Sequence, residues 1–341
     1  MGIQYFIGID ISKESLNWAV CNANKIILEL VSGNDIKSIT KTVLSIQREL
    51  KFKIPSAVFC MEHTGIYHTR LLKYLLSRKA SIWLESGSQI KYSMGDVRGK
   101  NDVVDAQRIA RYAYKNRDEI KLYTPPRAIV DQLDNLLDVR DRLVKVRQIC
   151  LTALNEQMSC EANKSLAKDT KKYSTHTLKG VETDLQSLEK QIKELIDSDP
   201  HLKVLFENIT SIPGVGIVTA AKCIVITDEF KKFNNAKQLA CHAGVVPFEN
   251  SSGTSLQSRP ESAAAADRKK AHKGIKATLS NCVMSAMRYN THFKAYYERK
   301  LKEGKNKFTV FNAMKNKLVR LIFSLAKQGK KYDENYTYSL V

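Results

Sequence analysis

Four acidic residues stand where predicted strands end or a predicted helix begins, at spacings that could bind a metal ion. Asp10 closes the apolar run QYFIGIDI, and Glu62 closes a later run, SAVFCME. Asp102 and Asp105 are three residues apart in a helical pattern, which puts both on one face. Four converging carboxylates repel each other unless a cation neutralises them, and hard oxygen ligands suit Mg²⁺. Because bound Mg²⁺ can assist displacement at a phosphodiester, these residues are predicted to form a catalytic metal site.

Each of these acids, taken singly, has an ordinary explanation. Asp10 could cap a turn, Glu62 could be a surface residue, Asp102 could cap its helix and Asp105 could be solvated. The combination of G-I-D-I-S-K after the first strand, M-E-H-T-G after a later one and K-N-D-x-x-D at a helix start is much less often accidental. The joint, functional interpretation is therefore favoured.

A second candidate group centres on Ser251 and Ser252, which precede Gly253. A hydroxyl nucleophile can form a covalent phosphoserine link if a neighbour activates it. Nearby cations could hold the phosphate and the leaving group. Alone, Ser-Ser-Gly is more typical of a flexible turn. The candidate cations that follow are Arg259, Lys269, Lys270 and Lys273.

A glycine turn, Pro213, Gly214 and Gly216, resembles the helix-hairpin-helix element. In that element the backbone N–H groups of the turn and the next helix donate to a nucleic-acid phosphate. A simple helix connector explains the same residues about equally well.

The elements needed to position these residues are an α/β domain followed by helices. Three strands in a meander are predicted, then strands that alternate with helices, and the prolines 125 and 126 end the domain. Such alternation predicts a sheet covered on both faces. The predicted strands cover 4–11, 16–21, 25–30, 56–62 and 81–84, and the predicted helices cover 36–50, 67–76 and 102–114.

The second half of the chain is predicted to be mainly helical. Heptad-like spacing over 129–154, interrupted at Arg140 and Arg147, and again over 178–195 indicates an antiparallel coiled-coil hairpin, although the same pattern fits a dimer seam. A helix over 202–209, a second from Ile217 and a basic helical tail over 277–325 follow. The predicted domains are 1–125, 126–200 and 201–341.

Charge is the unusual feature of the composition. The chain has 341 residues and a net charge of +20, which favours a polyanionic partner. Seven scattered cysteines without a C-x-x-C pair argue against zinc and disulfides. There is no signal-peptide pattern, and no run approaches about 18 apolar residues. We expect a protein of the prokaryotic cytoplasm, associated with the nucleoid and without a membrane span.

Over nearly its whole length the chain resembles the insertion sequence 110 transposase family, which is related to the Piv-type invertases. The matching motifs follow in order: G-I-D-I-S-K, E-H-T-G-I-Y, K-N-D-x-x-D-A, S-I-P-G-V-G-x-x-T-A, L-A-x-H-A-G-V-V-P and S-S-G. The stretch after the serines departs from the family, with alanines 263–266 where a glycine-led I-S-K-x-G run is usual.

The resemblance implies a RuvC-like (RNase H-like) N-terminal domain whose four acids fall on Asp10, Glu62, Asp102 and Asp105. It also implies a C-terminal transposase domain with a nucleophilic serine. That serine falls on Ser252, which directly precedes the glycine, with Ser251 as the alternative. Family members act as homo-oligomers, dimers or tetramers, and some pair a structured bridge RNA with element-end and target DNA.

Three other functions remain open from the sequence. A structure-specific nuclease of the Holliday-junction type would use the four acids and water, and would not need Ser252. A non-catalytic nucleic-acid-binding protein would need none of the acids. An actin-like phosphotransferase also opens with a G-I-D strand, but a second glycine-rich phosphate loop is missing from the sequence.

Overall fold

The computed structural model describes residues 2–63, 65–93, 101–160, 163–246, 251–252, 256–257 and 273–334, with backbone alone for 164, 251, 252, 256, 257 and 273. The chain divides into two compact units, Met1–Pro125 and Pro126–Val341. The boundary between them falls between Pro125 and Pro126.

A five-stranded mixed sheet forms the centre of the first unit. The strands stand in the order β3-β2-β1-β4-β5. Strand β2 is antiparallel to β1 and β3, as a meander requires, and β4 is parallel to both β1 and β5. The α/β prediction is therefore confirmed. The strands are β1 Tyr5–Ile11, β2 Ser15–Asn22, β3 Lys25–Gly33, β4 Ala57–Glu62 and β5 Ser81–Glu85.

Helices cover both faces of this sheet, because its central strands carry buried residues on both faces. One face packs Ile7, Ile9 and Phe59 against helices α1 (Ile36–Leu50) and α2 (Thr69–Ser77). The other packs Phe6, Val58 and Cys60 against α4 (Asp102–Lys115).

Helix α3 (Gly87–Tyr92) was not predicted. Its only buried residue is Ile90, so it carries no apolar periodicity. It begins with a capping signal instead, because the Ser86 hydroxyl accepts a hydrogen bond from the Gln89 N–H at 3.3 Å.

The second unit begins with the helical hairpin α5 (Ala128–Ser159) and α6 (Lys164–Asp197). Arg140 and Arg147, which interrupt the apolar heptads, form ion pairs with Glu189 and Glu182 on the facing helix. The pairing partners run in opposite directions along the two helices. The hairpin is therefore antiparallel, as predicted.

The base of the hairpin shares one apolar core with the C-terminal helices, through residues that include Leu133, Leu137 and Ile192. The predicted helical tail is three helices, because Asn290 caps the second and Gly304, at φ +76°, follows its end. Among the described residues, no helix is both long and apolar enough to span a bilayer. The remaining helices are α7 Pro200–Thr210, α8 Ile217–Ile226, α9 Ala236–His242, α10 Lys273–Tyr289, α11 Thr291–Lys302 and α12 Lys307–Gln328.

Candidate active site

Asp10 and Glu62 lie on neighbouring parallel strands at the same level of the sheet. The register pairs Ile9 of β1 with Met61 of β4, and each acid follows its member of that pair. Gly8 and Cys60 precede the acids by two residues and face α4, so strand alternation directs Asp10 and Glu62 to that face as well. Both are half-buried.

Helix α4 packs directly on β1 and runs in the opposite direction. A Cβ atom at Gly8 would collide with the backbone of Ala106 and Ala110, which shows how closely the helix approaches the strand. Further along the helix, Tyr114 stacks edge-on against Phe6, with ring centroids 5.4 Å apart. The first turn of α4 therefore lies toward the end of β1 that carries Asp10.

That first turn carries Asp102 and Asp105. Asn101 caps the helix, since its side-chain oxygen accepts a hydrogen bond from the Val103 N–H at 3.0 Å. Asp102 is exposed, and it has no hydrogen bond or ion pair with the residues that the structure describes. Asp105 is half-buried and pairs with Arg108 at 2.6 Å.

The carboxylate of Glu62 rests against the start of α3. A Cβ atom at Gly87 would overlap this carboxylate, so a larger residue there would displace the Glu62 side chain. Glu62 has no hydrogen-bond donor within the described part of the chain. The open oxygens of Glu62 and Asp102 suit a hard divalent cation. Across the described residues, however, no three acidic, histidine or cysteine side chains already stand close enough to hold a metal together.

Glu85 is a further acid at this edge that sequence reasoning missed. It ends β5 and pairs in register with Glu62. Its carboxylate accepts hydrogen bonds from the Ser86 N–H at 2.8 Å and from the Tyr112 hydroxyl at 3.2 Å. Burial, and then the negative charge of Glu85, raise the pKa of Tyr112 well above its usual range, so the phenol stays a neutral donor. Glu85 is thus anchored to the protein, unlike Glu62.

Two histidines lie beside Glu62 on the loop that follows β4. The rings of His63 and His68 are 4.9 Å apart, and the His63 N–H donates to the Glu85 carbonyl at 3.1 Å. Burial, and then the neighbouring His63, lower the pKa of His68. His68 is therefore neutral at pH 7.

In the second unit the glycine turn joins α7 to α8. Gly214 has φ +93°, and a Cβ atom there would collide with the backbone of Ala286 on α10. Close approach at Gly214 is therefore to another helix of the protein, whereas the sequence had suggested a phosphate. Gly216, the N-cap of α8, has no atom of a described residue within 4 Å of an added Cβ.

The candidate nucleophiles Ser251 and Ser252 lie in a short strand, β6 (Ser251–Ser252), where the sequence had suggested an irregular loop. It pairs with β7 (Leu256–Gln257), and Ser252 stands opposite Leu256. Lys273 begins α10. The other candidate cations, Arg259, Lys269 and Lys270, lie outside the described residues.

Two family models match the chain, and both describe transposases. The transposase model of the DEDD, IS110 type matches residues 7–159, which include all four candidate acids. The model described as Transposase IS116/IS110/IS902 family matches residues 206–298, which include the glycine turn and both serines. By these matches the protein is a transposase. It belongs to the IS110 family, as its sequence motifs indicated.

Individual relatives agree with this assignment. The pilin gene-inverting protein of Moraxella lacunata is 25% identical over 332 residues, 96% of this chain and 98% of that protein. The transposase for insertion sequence element IS1111A of Coxiella burnetii is 25% identical over 175 residues, 45% of this chain and 47% of that protein. Among solved structures, T. thermophilus RuvC in complex with Holliday junction substrate aligns with 35% of this chain and 99% of that chain, at 12% identity and a TM-score of 0.26.

Proposed function

We propose that this transposase cuts and rejoins DNA at the ends of its insertion sequence through a serine-linked intermediate, assisted by Mg²⁺ at the four acids. The observation that best supports the metal site is the meeting of strand ends and helix start at one edge of the sheet. Asp10 and Glu62 end adjacent parallel strands, and the antiparallel packing of α4 on β1 brings the first turn of α4 to the same end.

Asp10, Glu62, Asp102 and Asp105 would hold the metal. Bound there, Mg²⁺ would supply Lewis-acid polarisation of a phosphodiester oxygen. The chain contributes a Glu62 carboxylate that packs on Gly87 and an Asp105 carboxylate that must exchange its ion pair with Arg108 for this role.

The serine step conserves phosphodiester bonds. The Ser252 hydroxyl oxygen attacks a backbone phosphorus and loses its proton to a base, the P–O bond to one sugar breaks, and that sugar oxygen gains a proton. A new strand's hydroxyl then attacks the phosphoserine and releases the serine. Because each broken P–O bond is replaced by another, joining requires no high-energy cofactor. Ser251 is the alternative nucleophile.

The remaining parts of the proposal concern partners. The net charge of +20 favours DNA and a structured guide RNA as ligands. Arg259, Lys269, Lys270 and Lys273 would contact phosphate near the serine. A homodimer or tetramer is supported by apolar side chains that α5 leaves exposed, namely Val139, Val146 and Ile149.

The proposal is tested by trapping the covalent intermediate. The protein is incubated with Mg²⁺, RNA transcribed from the flanks of the element and end-labelled DNA that carries the element junction. After denaturation, label should migrate with the protein. The adduct should disappear in Ser252→Ala and persist in the control Ser255→Ala, which removes a hydroxyl from the same segment. Asp102→Asn should reduce the adduct while DNA binding is retained.

A structure-specific nuclease gives the opposite pattern. It would release free cleaved DNA without an adduct, and Ser252→Ala would cut at the wild-type rate. That result would assign the chemistry to the four acids and water and would reject the serine step.

A further inference from the structure

A cleft of about 670 Å³ opens in the second unit, beside the glycine turn. Its size falls within the range of about 300–1,000 Å³ that is usual for ligand sites. Four elements form its walls: the middle of α5, the glycine turn, the first turns of α8 and the N-terminal half of α10.

Among the described residues, one cation of the cleft has no ion-pair partner. Lys222 binds Asp141 at 2.7 Å, and Arg140 binds Glu189 at 2.7 Å. Lys145 also lines the cleft, is exposed, and has no ion-pair or hydrogen-bond partner in the described part of the chain.

Neutral groups that can donate hydrogen bonds line the same cleft from α10. Asn281 and Ser285 line the cleft, and the structure gives neither side chain a hydrogen-bond partner among the residues it describes. A free ammonium together with an amide and a hydroxyl is the donor set that proteins use on the sugar-phosphate backbone. An apolar ligand would leave these groups desolvated and unpaired.

The two glycines of the turn differ in what the fold demands of them. Gly214 needs its left-handed backbone and its lack of a side chain to pack on Ala286. Gly216 has extended backbone, φ −95° and ψ 177°, which any residue adopts, and open space beside it. Gly216 lines the cleft, so a side chain there would occupy ligand space without disturbing the folded protein.

We infer that this cleft binds a phosphate of a nucleic-acid backbone, with Lys145 as the cation, Asn281 and Ser285 as neutral donors, and Gly216 leaving room for the ligand. The inference rests on the proposed function only in taking nucleic acid as the substrate. It adds a binding site made of residues on the hairpin and α10, none of which is one of the four acids or the serines.

A pair of isosteric variants at Gly216 provides the test. Asp and Asn are both good helix N-caps, and the Asp charge also favours a helix N-terminus, so Gly216→Asp and Gly216→Asn should both melt at or above the wild-type temperature. In the cleft the Asp carboxylate repels phosphate. Gly216→Asp should therefore bind about tenfold more weakly than Gly216→Asn, the change that one charge contact of ordinary strength produces.

Binding is measured as fluorescence anisotropy of labelled duplex DNA, single-stranded DNA and RNA of one length, with the full-length chain. Lys145→Ala should weaken binding and lower the slope of log Kd against log salt by about 1 on duplex DNA. Lys179→Ala removes the same charge from an exposed position of α6, outside the cleft, and should leave the slope nearer that of the wild type. The cleft binds the ligand for which the Kd values of Gly216→Asp and Gly216→Asn differ most.

The outcomes separate this inference from the proposed function. If the wild type binds nucleic acid but Gly216→Asp matches Gly216→Asn, and Lys145→Ala matches Lys179→Ala, the cleft inference is overturned and the proposed function is untouched. If the wild type binds none of the three ligands, the proposed function fails and the inference fails with it. Because the experiment measures binding and not cleavage, Asp102→Asn, which removes one of the four acids, should not alter the measured affinity.

Discussion

The close packing of α4 on β1 makes Gly8→Ala the sharpest test of how the acids are positioned. An alanine Cβ at residue 8 would lie 2.8 Å from the Ala110 Cα, whereas ordinary contact begins at 3.4 Å, so this contact alone requires a shift of 0.6 Å. The backbone oxygen of Ala106 and the backbone nitrogen of Ala110 would lie closer still to this Cβ, so the helix must shift by about 1 Å in all. Asp102 and Asp105 move with the helix.

Two effects of known size follow from that shift. Overpacking of this kind usually costs about 1–3 kcal/mol of unfolding free energy. A displacement of about 1 Å within a catalytic constellation can reduce the rate about 100-fold. Gly8→Ala should therefore remain folded at low temperature but lose most of its Mg²⁺-dependent DNA cleavage.

The assay compares urea unfolding and single-turnover cleavage for Gly8→Ala and for the control Gly180→Ala. Gly180 lies in α6, and no described residue comes within 4 Å of an added Cβ, so its substitution should raise stability by about 0.5–1 kcal/mol. Opposite signs of the two stability changes are expected. Wild-type stability and cleavage in Gly8→Ala would refute the close packing and the placement of Asp102 and Asp105 that depends on it.

Two further predictions concern anchored carboxylates. Arg127→Met should destabilise the protein by about 1–3 kcal/mol, because it leaves the buried Glu229 carboxylate without its main partner. This cost is smaller than for a fully buried ion pair, because Arg127 is 40% exposed. Burial alone would raise the pKa of Glu229, but hydrogen bonds hold it below its usual value, as Arg127 does for Asp199. Depressed carboxyl pKa values stabilise the fold above the unfolded values of about 3.9 and 4.3. The difference in unfolding free energy between Arg127→Met and wild type should therefore be full above about pH 5 and should shrink as the pH falls further. Urea unfolding at several pH values measures this difference, and a difference that stays constant with pH would contradict the ion pairs. Tyr112→Phe should cost about 1 kcal/mol of unfolding free energy, because it removes the hydrogen-bond donor to Glu85. DNA cleavage per folded molecule should stay within a few-fold of wild type. A loss of cleavage as large as that caused by substituting one of the four acids would make Glu85 part of the chemistry.

Local patterns were sufficient to predict most of the first unit. Apolar runs that end in an acid located Asp10 and Glu62, because the hydrophobic strand and its polar end are both visible in the sequence. The same signal was present at Glu85, directly after the run SIWL, but the predicted strand stopped at Leu84. The strand in the structure is one residue longer, and Glu85 is part of it.

Long-range packing could not be predicted in the same way. The need for glycine at Gly8 comes from a helix backbone, and the close contact at Gly87 comes from a carboxylate. Both partners are distant in sequence, so neither glycine stands out in its own segment. Gly214 shows the converse, because its glycine signal was visible but its partner, Ala286, was not. The role of Ser252 rests on the resemblance to a family, since a Ser-Ser-Gly segment has no local feature that distinguishes a nucleophile from a turn.

Identifying the atom that carries the DNA tests the central claim most directly. Trypsin does not cut before Pro260, so it should release residues 238–268, from Lys237 to Arg268, as one peptide that contains both candidate serines. Mass spectrometry of the trapped and nuclease-trimmed adduct should find a nucleotide phosphate on this peptide, with fragmentation locating it at Ser252. An adduct located elsewhere in the chain, or complete cleavage of the DNA with no modified peptide at all, would contradict the account.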